Sequence, residues 1–318
     1  MAEMESKVNS TPVMNRRRKK LGQRILQNWA LYLFLLPSFL VIVIFRFAPM
    51  YGIQIAFKKF VASKGIWGSE WVGFKHFYTF FDSYYWKRLF TNTFILNLIG
   101  LIFSSTIPVI LALTLNCLKN EKAKHTIQTI VYVPHFISTV VLTGLIYIFF
   151  SPTNGFVNRV IESLNGTPIY FLMEKRWFRA LYIGSDVWQN SGWNSILYIA
   201  ALASVDTGLY EAARIDGATR LQTIRYIDIP ATVQVFTMML ILNCGHLLSS
   251  NTEKVLLLQT DGNSAVSDVF GTYVYNFGIG KAQFSYTTAI GLMLNVISFV
   301  MVFGVNSISR SLDGAELF

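Results

Sequence analysis

The sequence predicts an all-α integral membrane protein with six transmembrane helices. Three observations predict it: six long stretches free of Asp, Glu, Lys and Arg, a 53% apolar share against 14% charged, and a mean hydropathy of +0.44. A helix needs about 20 apolar residues to cross the ~30 Å hydrocarbon layer. The uncharged stretches are Ile25–Phe45, Leu89–Leu118, Thr126–Asn158, Val187–Val205, Ile229–Thr252 and Ala282–Ser309. A buried helix of a large soluble protein accounts for one such run but not for six.

Taken in order, residues 1–28 form a basic segment with the cluster Arg16-Arg17-Arg18-Lys19-Lys20. Beside a hydrophobic span such a cluster is a topogenic, lipid-facing feature. The net charge of +10 therefore points to a membrane surface and not to nucleic acid. The first span is longer than a signal-peptide core and lacks a small-x-small cleavage site, so it is expected to stay. The loop Gly52–Arg88 is crowded with aromatic residues, including Trp67, Trp71, Phe74, Tyr78 and Trp86, and suits an amphipathic segment in the interface. Ser151–Asp186 carries the turn formers Pro152, Gly155, Gly166 and Pro168, and Asn251–Lys281 carries a turn at Asp261-Gly262-Asn263-Ser264. The expected organisation is a basic segment 1–28, a transmembrane domain 29–310 containing a connecting loop 204–230, and a tail 311–318. Cys117 and Cys244 lack metal-like spacing and read as small apolar fillers.

The loop differs from an ordinary connector. It reads Leu209-Tyr210-Glu211-Ala212-Ala213-Arg214-Ile215-Asp216-Gly217-Ala218-Thr219, continuing to Ile227-Asp228-Ile229-Pro230. Glu211–Ile215 are mostly helix formers, and Gly217 sits where a left-handed residue ends the run. Leu221, Ile224 and Ile227 then place an apolar stripe on a second helical piece. Small side chains at Ala212 and Ala213 permit close approach by a partner, with Glu211, Arg214 and Arg220 around them. From residue types alone, a surface loop whose alanines merely favour helix fits as well.

The spacing resembles the EAA signature of binding-protein-dependent ABC importer permeases: Glu-Ala-Ala, three residues, Gly, nine residues, Ile, one residue, Leu-Pro. Glu211, Ala212, Ala213, Gly217, Ile227 and Pro230 match it, with Ile229 in place of Leu. The wording Tyr-Glu-Ala-Ala through Ile-Asp-Gly-Ala is similar to the carbohydrate branch. Ala48–Phe57, Tyr132–Ser138 and Asp268–Tyr275 resemble its subgroup for oligosaccharides and polysaccharide fragments, of the aldouronate and alginate type. The resemblance implies a type I ABC importer permease fold in a bacterial cytoplasmic (inner) membrane. It implies that the chain is a non-catalytic subunit paired with a second homologous permease, two ATPase subunits and an extracytoplasmic sugar-binding protein. It further implies that Glu211, Ala212, Ala213, Arg214, Asp216, Gly217, Ala218, Ile227 and Pro230 couple to the ATPase from the cytoplasm. With the loop inside after four spans, both termini are cytoplasmic. Charge bias alone does not choose this orientation, since the inner segments hold 14 Lys and Arg and the outer loops 12.

The chain has no P-loop, because Gly280-Lys281 is followed by Ala282 and Tyr275 stands where the first Gly belongs. No cofactor is expected in it; the ATP and Mg belong to the partner ATPase. A secondary transporter or a channel is the rival reading, but the expected span centres carry no Asp, Glu, Lys or Arg for ion coupling. A sugar pathway needs amides and aromatics together. Gln189, Asn190, Trp193 and Asn194 supply both in the fourth span, and Asn243 with His246 share a face of the fifth. Bonds between helices are the alternative use of such side chains, and the reading favoured for Asn97 and Asn295.

Overall fold

A computed structural model describes residues 28–311. The basic cluster Arg16–Lys20 and the tail 312–318 lie outside the described residues. The chain divides into two compact units, Met1–Ile53 and Gln54–Phe318. In the first unit, α1 (Trp29–Ile42) continues through a π-turn at Val43–Phe47. The helical stretch Trp29–Phe57 has a mean hydropathy of 2.3 and is long enough to cross a membrane.

The second unit begins with a feature beyond the helical expectation. β1 (Lys58–Val61) and β2 (Gly65–Trp71) pair antiparallel, Lys58 opposite Trp71 and Lys59 opposite Glu70. Gly65 makes the tight return possible with φ of +65°, a conformation open to glycine at no steric cost. Phe57 stacks on Trp71 at 5.6 Å and meets Phe77 of α2 (Lys75–Phe81). The aromatic loop thus folds into a hairpin and a short helix, whose inner ring Phe80 is 1% exposed among Trp86, Phe270, Tyr273 and Tyr286.

Long helices follow. α3 (Tyr85–Asn116) runs 32 residues. The third uncharged run is not one rod. α4 (Glu121–Tyr132) passes through a 3-10 turn, Val133–Phe136, and α5 (Thr139–Phe149) leaves at 99°. Pro134 tightens the turn, Ile137 is extended, and the Ser138 side chain caps α5 at Val141 N. At 1.5 Å per residue, α5 alone reaches only about 16 Å. After α6 (Phe156–Ser163), the fourth helix also departs from expectation. α7 (Lys175–Ala203) starts twelve residues before Val187, so Lys175, Arg176 and Arg179 belong to its first turns. Next come α8 (Thr207–Ile215) and α9 (Arg220–Thr223), which continues through a π-turn at Ile224–Asp228 into α10 (Ile229–Cys244). The short helices α11 (Thr252–Leu258), α12 (Ser264–Ser267) and α13 (Phe270–Tyr275) precede α14 (Phe284–Ser311). Among the described residues four helices are long and apolar enough to span, and six if each of two bent pairs counts as one crossing.

α3 and α7 pack along each other and anchor the unit. Leu96, Leu142, Phe178, Val255 and Leu258 form one buried cluster, and Ala112, Tyr198 and Leu202 another near the far end of the same pair. Gly192 of α7 lies directly against the α4 backbone: a Cβ there would meet Val131 O at 1.9 Å. Backbone cannot swing aside as a side chain does. Gly192→Val should therefore cost at least the ~1–3 kcal/mol of ordinary overpacking and lower the melting temperature of the detergent-extracted protein. Gly144→Ala, where an added Cβ meets nothing within 4 Å, is the control expected to leave it unchanged or higher.

Candidate functional site

The loop between α7 and α10 is a bent helical element with its own local logic. Asp206 caps α8 by accepting from Gly208 N at 2.9 Å. Gly217 ends it at φ +72°, while Ala213 O accepts from Ala218 N and Ala212 O from Asp216 N, both at 2.9 Å. These bonds satisfy carbonyls that the helix end would leave orphaned. Thr219 and Gln222 then form a reciprocal capping box that starts α9. Glu211, Ala212, Arg214, Asp216 and Gly217 are exposed, Ala213, Ala218 and Ile227 half-buried, and Pro230 opens α10. Three large apolar side chains stand out into solvent beside them: Ile215 at 86%, Leu221 at 78% and Tyr226 at 70% exposure.

The inner side of the loop is tied to the spans. Tyr210 Oη donates to Asp228 Oδ1 at 2.6 Å, and Asn116 Nδ2 from the end of α3 approaches the same oxygen at 3.4 Å. Asp228 is 3% exposed. Burial first, and then the bonded Asp228 carboxylate, push the Tyr210 phenol up to about 12, so it stays a donor at neutral pH. Arg220 also donates to Cys117 O at the end of α3. One buried carboxylate thereby joins the loop, α3 and α10. Sequence reasoning did not assign Tyr210, Asp228 or Asn116 a role. The carboxylate just before Pro230 was the visible signal, but its partners lie 18 and 112 residues away.

The polar residues of α7 and α10 do not meet in one place. Asn243 and His246 line a cavity of about 230 Å³ together with Asn97, Asp186, Ser249 and Asn251. Asn97 also braces the chain after α10, donating to Leu247 O at 2.9 Å. Gln189, Asn190, Trp193 and Asn194 are not among the residues lining that cavity. Gln189 donates to Ile137 O at 2.6 Å, beside the extended residue between α4 and α5. Asn190 bonds His135 at 3.0 Å and donates to Asp186 at 3.2 Å, and Trp193 stacks on the His135 ring at 4.6 Å. Trp193 remains 43% exposed, and Asn194 is half-buried.

Asp186 is the hinge between the two groups. On sequence it stands near a span end, but α7 carries it well inside the helix. Its Oδ1 lies 3.5 Å from Nζ of Lys254, a lysine only 1% exposed that also donates to Tyr182 O at 3.0 Å. A buried ammonium needs such partners. From sequence Lys254 falls in the connection Asn251–Lys281, because nothing local marks α11 as a helix that folds back onto α7.

This architecture has known counterparts. Residues 108–314 match the family described as "Binding-protein-dependent transport system inner membrane component". The chain is 41% identical to the protein LplB of Bacillus subtilis over 91% of each chain. It is 38% identical to the polygalacturonan/rhamnogalacturonan transport system permease protein YteP of the same organism, over 92% of each. A solved bacterial alginate ABC transporter, in complex with an alginate pentasaccharide-bound periplasmic protein, contains a chain of similar fold. The TM-score is 0.86 at 36% identity, covering 94% of this chain and all of the other. With its family model matched over residues 108–314 and relatives this similar over nearly its whole length, the chain belongs to the binding-protein-dependent transport system inner membrane component family.

Proposed function

We propose that this chain is one of two permease subunits of an ATP-driven importer for oligosaccharides or polysaccharide fragments. The observation that carries this reading is the EAA loop: its apolar and charged outer face is exposed, and its inner face is bonded to the ends of α3 and α10. An ATPase that grips Glu211, Ala212, Ala213 and Gly217 moves both helix ends through Tyr210 and Asp228. A rigid lever converts closure of the ATPase into rearrangement of the spans, which a flexible tether would not transmit. The partners are a second homologous permease, two ATPase subunits holding ATP and Mg, and an extracytoplasmic sugar-binding protein. The domain spans 29–310, sits in the inner membrane and keeps both termini cytoplasmic.

The cargo class rests on the relatives' substrates and on local chemistry. Trp193 stacked on His135 offers an apolar ring surface, and the cavity holding Asn97, Asn243 and His246 offers amide donors and acceptors. Sugars need both along their path. Asn190 and Asp186 link the two groups, and Gln189 and Asn194 flank Trp193 on the same helix.

The lever is tested by substitution. Gly217→Pro removes the φ freedom of the bend and Glu211→Lys reverses a charge on the docking face. Both should insert normally, while sugar uptake by the assembled transporter falls at least about tenfold, a loss of ~1.4 kcal/mol in coupling. Tyr210→Phe keeps the ring but leaves Asp228 only the long Asn116 contact; the ratio of sugar transported to ATP hydrolysed should drop while the ATPase stays bound. Wild-type transport in Glu211→Lys and Gly217→Pro would make the loop an ordinary connector.

Orientation has a separate check. An impermeant thiol reagent should label cysteines placed at Ser63 and Asp261 from outside and should not label one at Gln222, all exposed positions. Asn263 is unsuitable as a probe because it is fully buried. The Asp186–Lys254 pair, with its lysine buried and its carboxylate partly exposed, is a feature that a proton-coupled carrier would also carry. Vanadate should therefore stop uptake in membrane vesicles while a protonophore leaves it intact; the reverse result would establish the secondary-transporter reading.

A further inference from the structure

A second groove lies along the α3–α7 pair, and its chemistry differs from that of the polar cavity. Its volume is about 480 Å³. Ile99 and Phe103 of α3 and Ile183 and Val187 of α7 form its walls. Ala180 and Gly184 make it deep because neither fills it, and a Cβ added at Gly184 would meet nothing within 4 Å. Polar groups occur at one end alone, where Arg176 and Arg179 stand in the first turns of α7.

These two arginines are only partly engaged. Arg176 Nε pairs with Glu174 at 2.6 Å, leaving its terminal nitrogens for other contacts, and its guanidinium lies 5.6 Å from the Trp177 ring. Arg179 reaches Asn92 Oδ1 at 3.5 Å, a long contact, and its buried Nε has no hydrogen-bond partner. A buried guanidinium nitrogen without a partner is costly and uncommon. The terminal guanidinium nitrogens are the groups that an acceptor-rich anion in the groove meets, and phosphate oxygens match that fork.

The length fits an amphiphile. From Arg176 to Val187 the helix rises about 16 Å, roughly half of the ~30 Å hydrocarbon layer. A sugar needs hydroxyl partners along its whole length, and below the arginines this groove offers hydrocarbon. A free anion would use the arginines and leave the apolar floor without purpose. We propose that the groove between α3 and α7 is a binding site for one anionic phospholipid, its phosphate on Arg176 and Arg179 and one acyl chain over Ala180 and Gly184. The lipid comes from the leaflet that holds the N-terminal end of α7. Bound there, it packs against the helix carrying Asp186, Trp193 and the approach to the EAA loop.

The test uses the assembled transporter, stripped of lipid in mild detergent and titrated with phosphatidylglycerol or phosphatidylcholine under native mass spectrometry. Wild type should retain phosphatidylglycerol about tenfold better, ~1.4 kcal/mol, because the two arginines favour an anionic headgroup. Arg176→Gln with Arg179→Gln should bring the two lipids level. Gly184→Leu, which fills the groove without touching the arginines, should lose both lipids in parallel and keeps the test decisive if the double variant assembles poorly. Equal retention of both lipids by wild type, or undiminished phosphatidylglycerol binding in Gly184→Leu, would overturn the site and indicate that protein covers the groove. Complete displacement of phosphatidylglycerol by millimolar inorganic phosphate would reduce it to a headgroup-sized anion site and overturn the acyl-chain placement.

Discussion

In hydrocarbon every backbone N–H and C=O must find a partner inside the protein, because each orphan costs several kcal/mol. This chain interrupts its helices repeatedly, and each interruption therefore needs a brace. Long polar side chains supply them. Gln189 reaches Ile137 O at the break between α4 and α5, and Asn97 reaches Leu247 O where the chain leaves α10. Asn263, fully buried, donates to both Leu172 O and Leu258 O, and Asn158 to both Ser151 O and Ile169 O. Of these bracing amides Asn97 also lines the 230 Å³ cavity, so one side chain both satisfies a chain break and faces open space.

Charge obeys a stricter version of this constraint. An ionised group out of water is retained only when paired and hydrogen-bonded. Lys254 meets both conditions through Asp186 and Tyr182 O, and the pair clamps α11 to α7. Asp186 also accepts from Asn190, which bonds the His135 ring stacked on Trp193. The result is a continuous polar chain from a connecting segment to the break between α4 and α5. Displacing any member leaves another unsatisfied, so the chain holds its parts in register.

Asp228 plays the equivalent part at the other end of α7. It is buried, it accepts from Tyr210 and Asn116, and it sits in a π-turn at the head of α10. A π-turn re-aims a helical side chain within an unbroken helix, and here the re-aimed group joins three elements. The loop's inner face is consequently fixed while its outer face carries exposed Ile215 and Leu221. The loop is therefore rigid on one side and carries unburied apolar surface on the other.

Local chemistry was enough for much of this protein. The apolar runs marked the membrane helices, and the Glu-Ala-Ala spacing with Gly217 marked a helix, a bend and a second helix. Those features depend on neighbours within a turn or two, which is where propensity and periodicity operate. The aromatic crowding of Gly52–Arg88 was legible, but its hairpin at Gly65 was not, because strand pairing is a contact between separate stretches. The division of Asn190 and Trp193 from Asn243 and His246 was decided only by the tertiary structure. So were the burial of Lys254, the bend of 99° after α4, and the bond from Tyr210 to Asp228. Each arises when distant segments meet and a polar group, removed from water, must take whichever partner the packing brings to it.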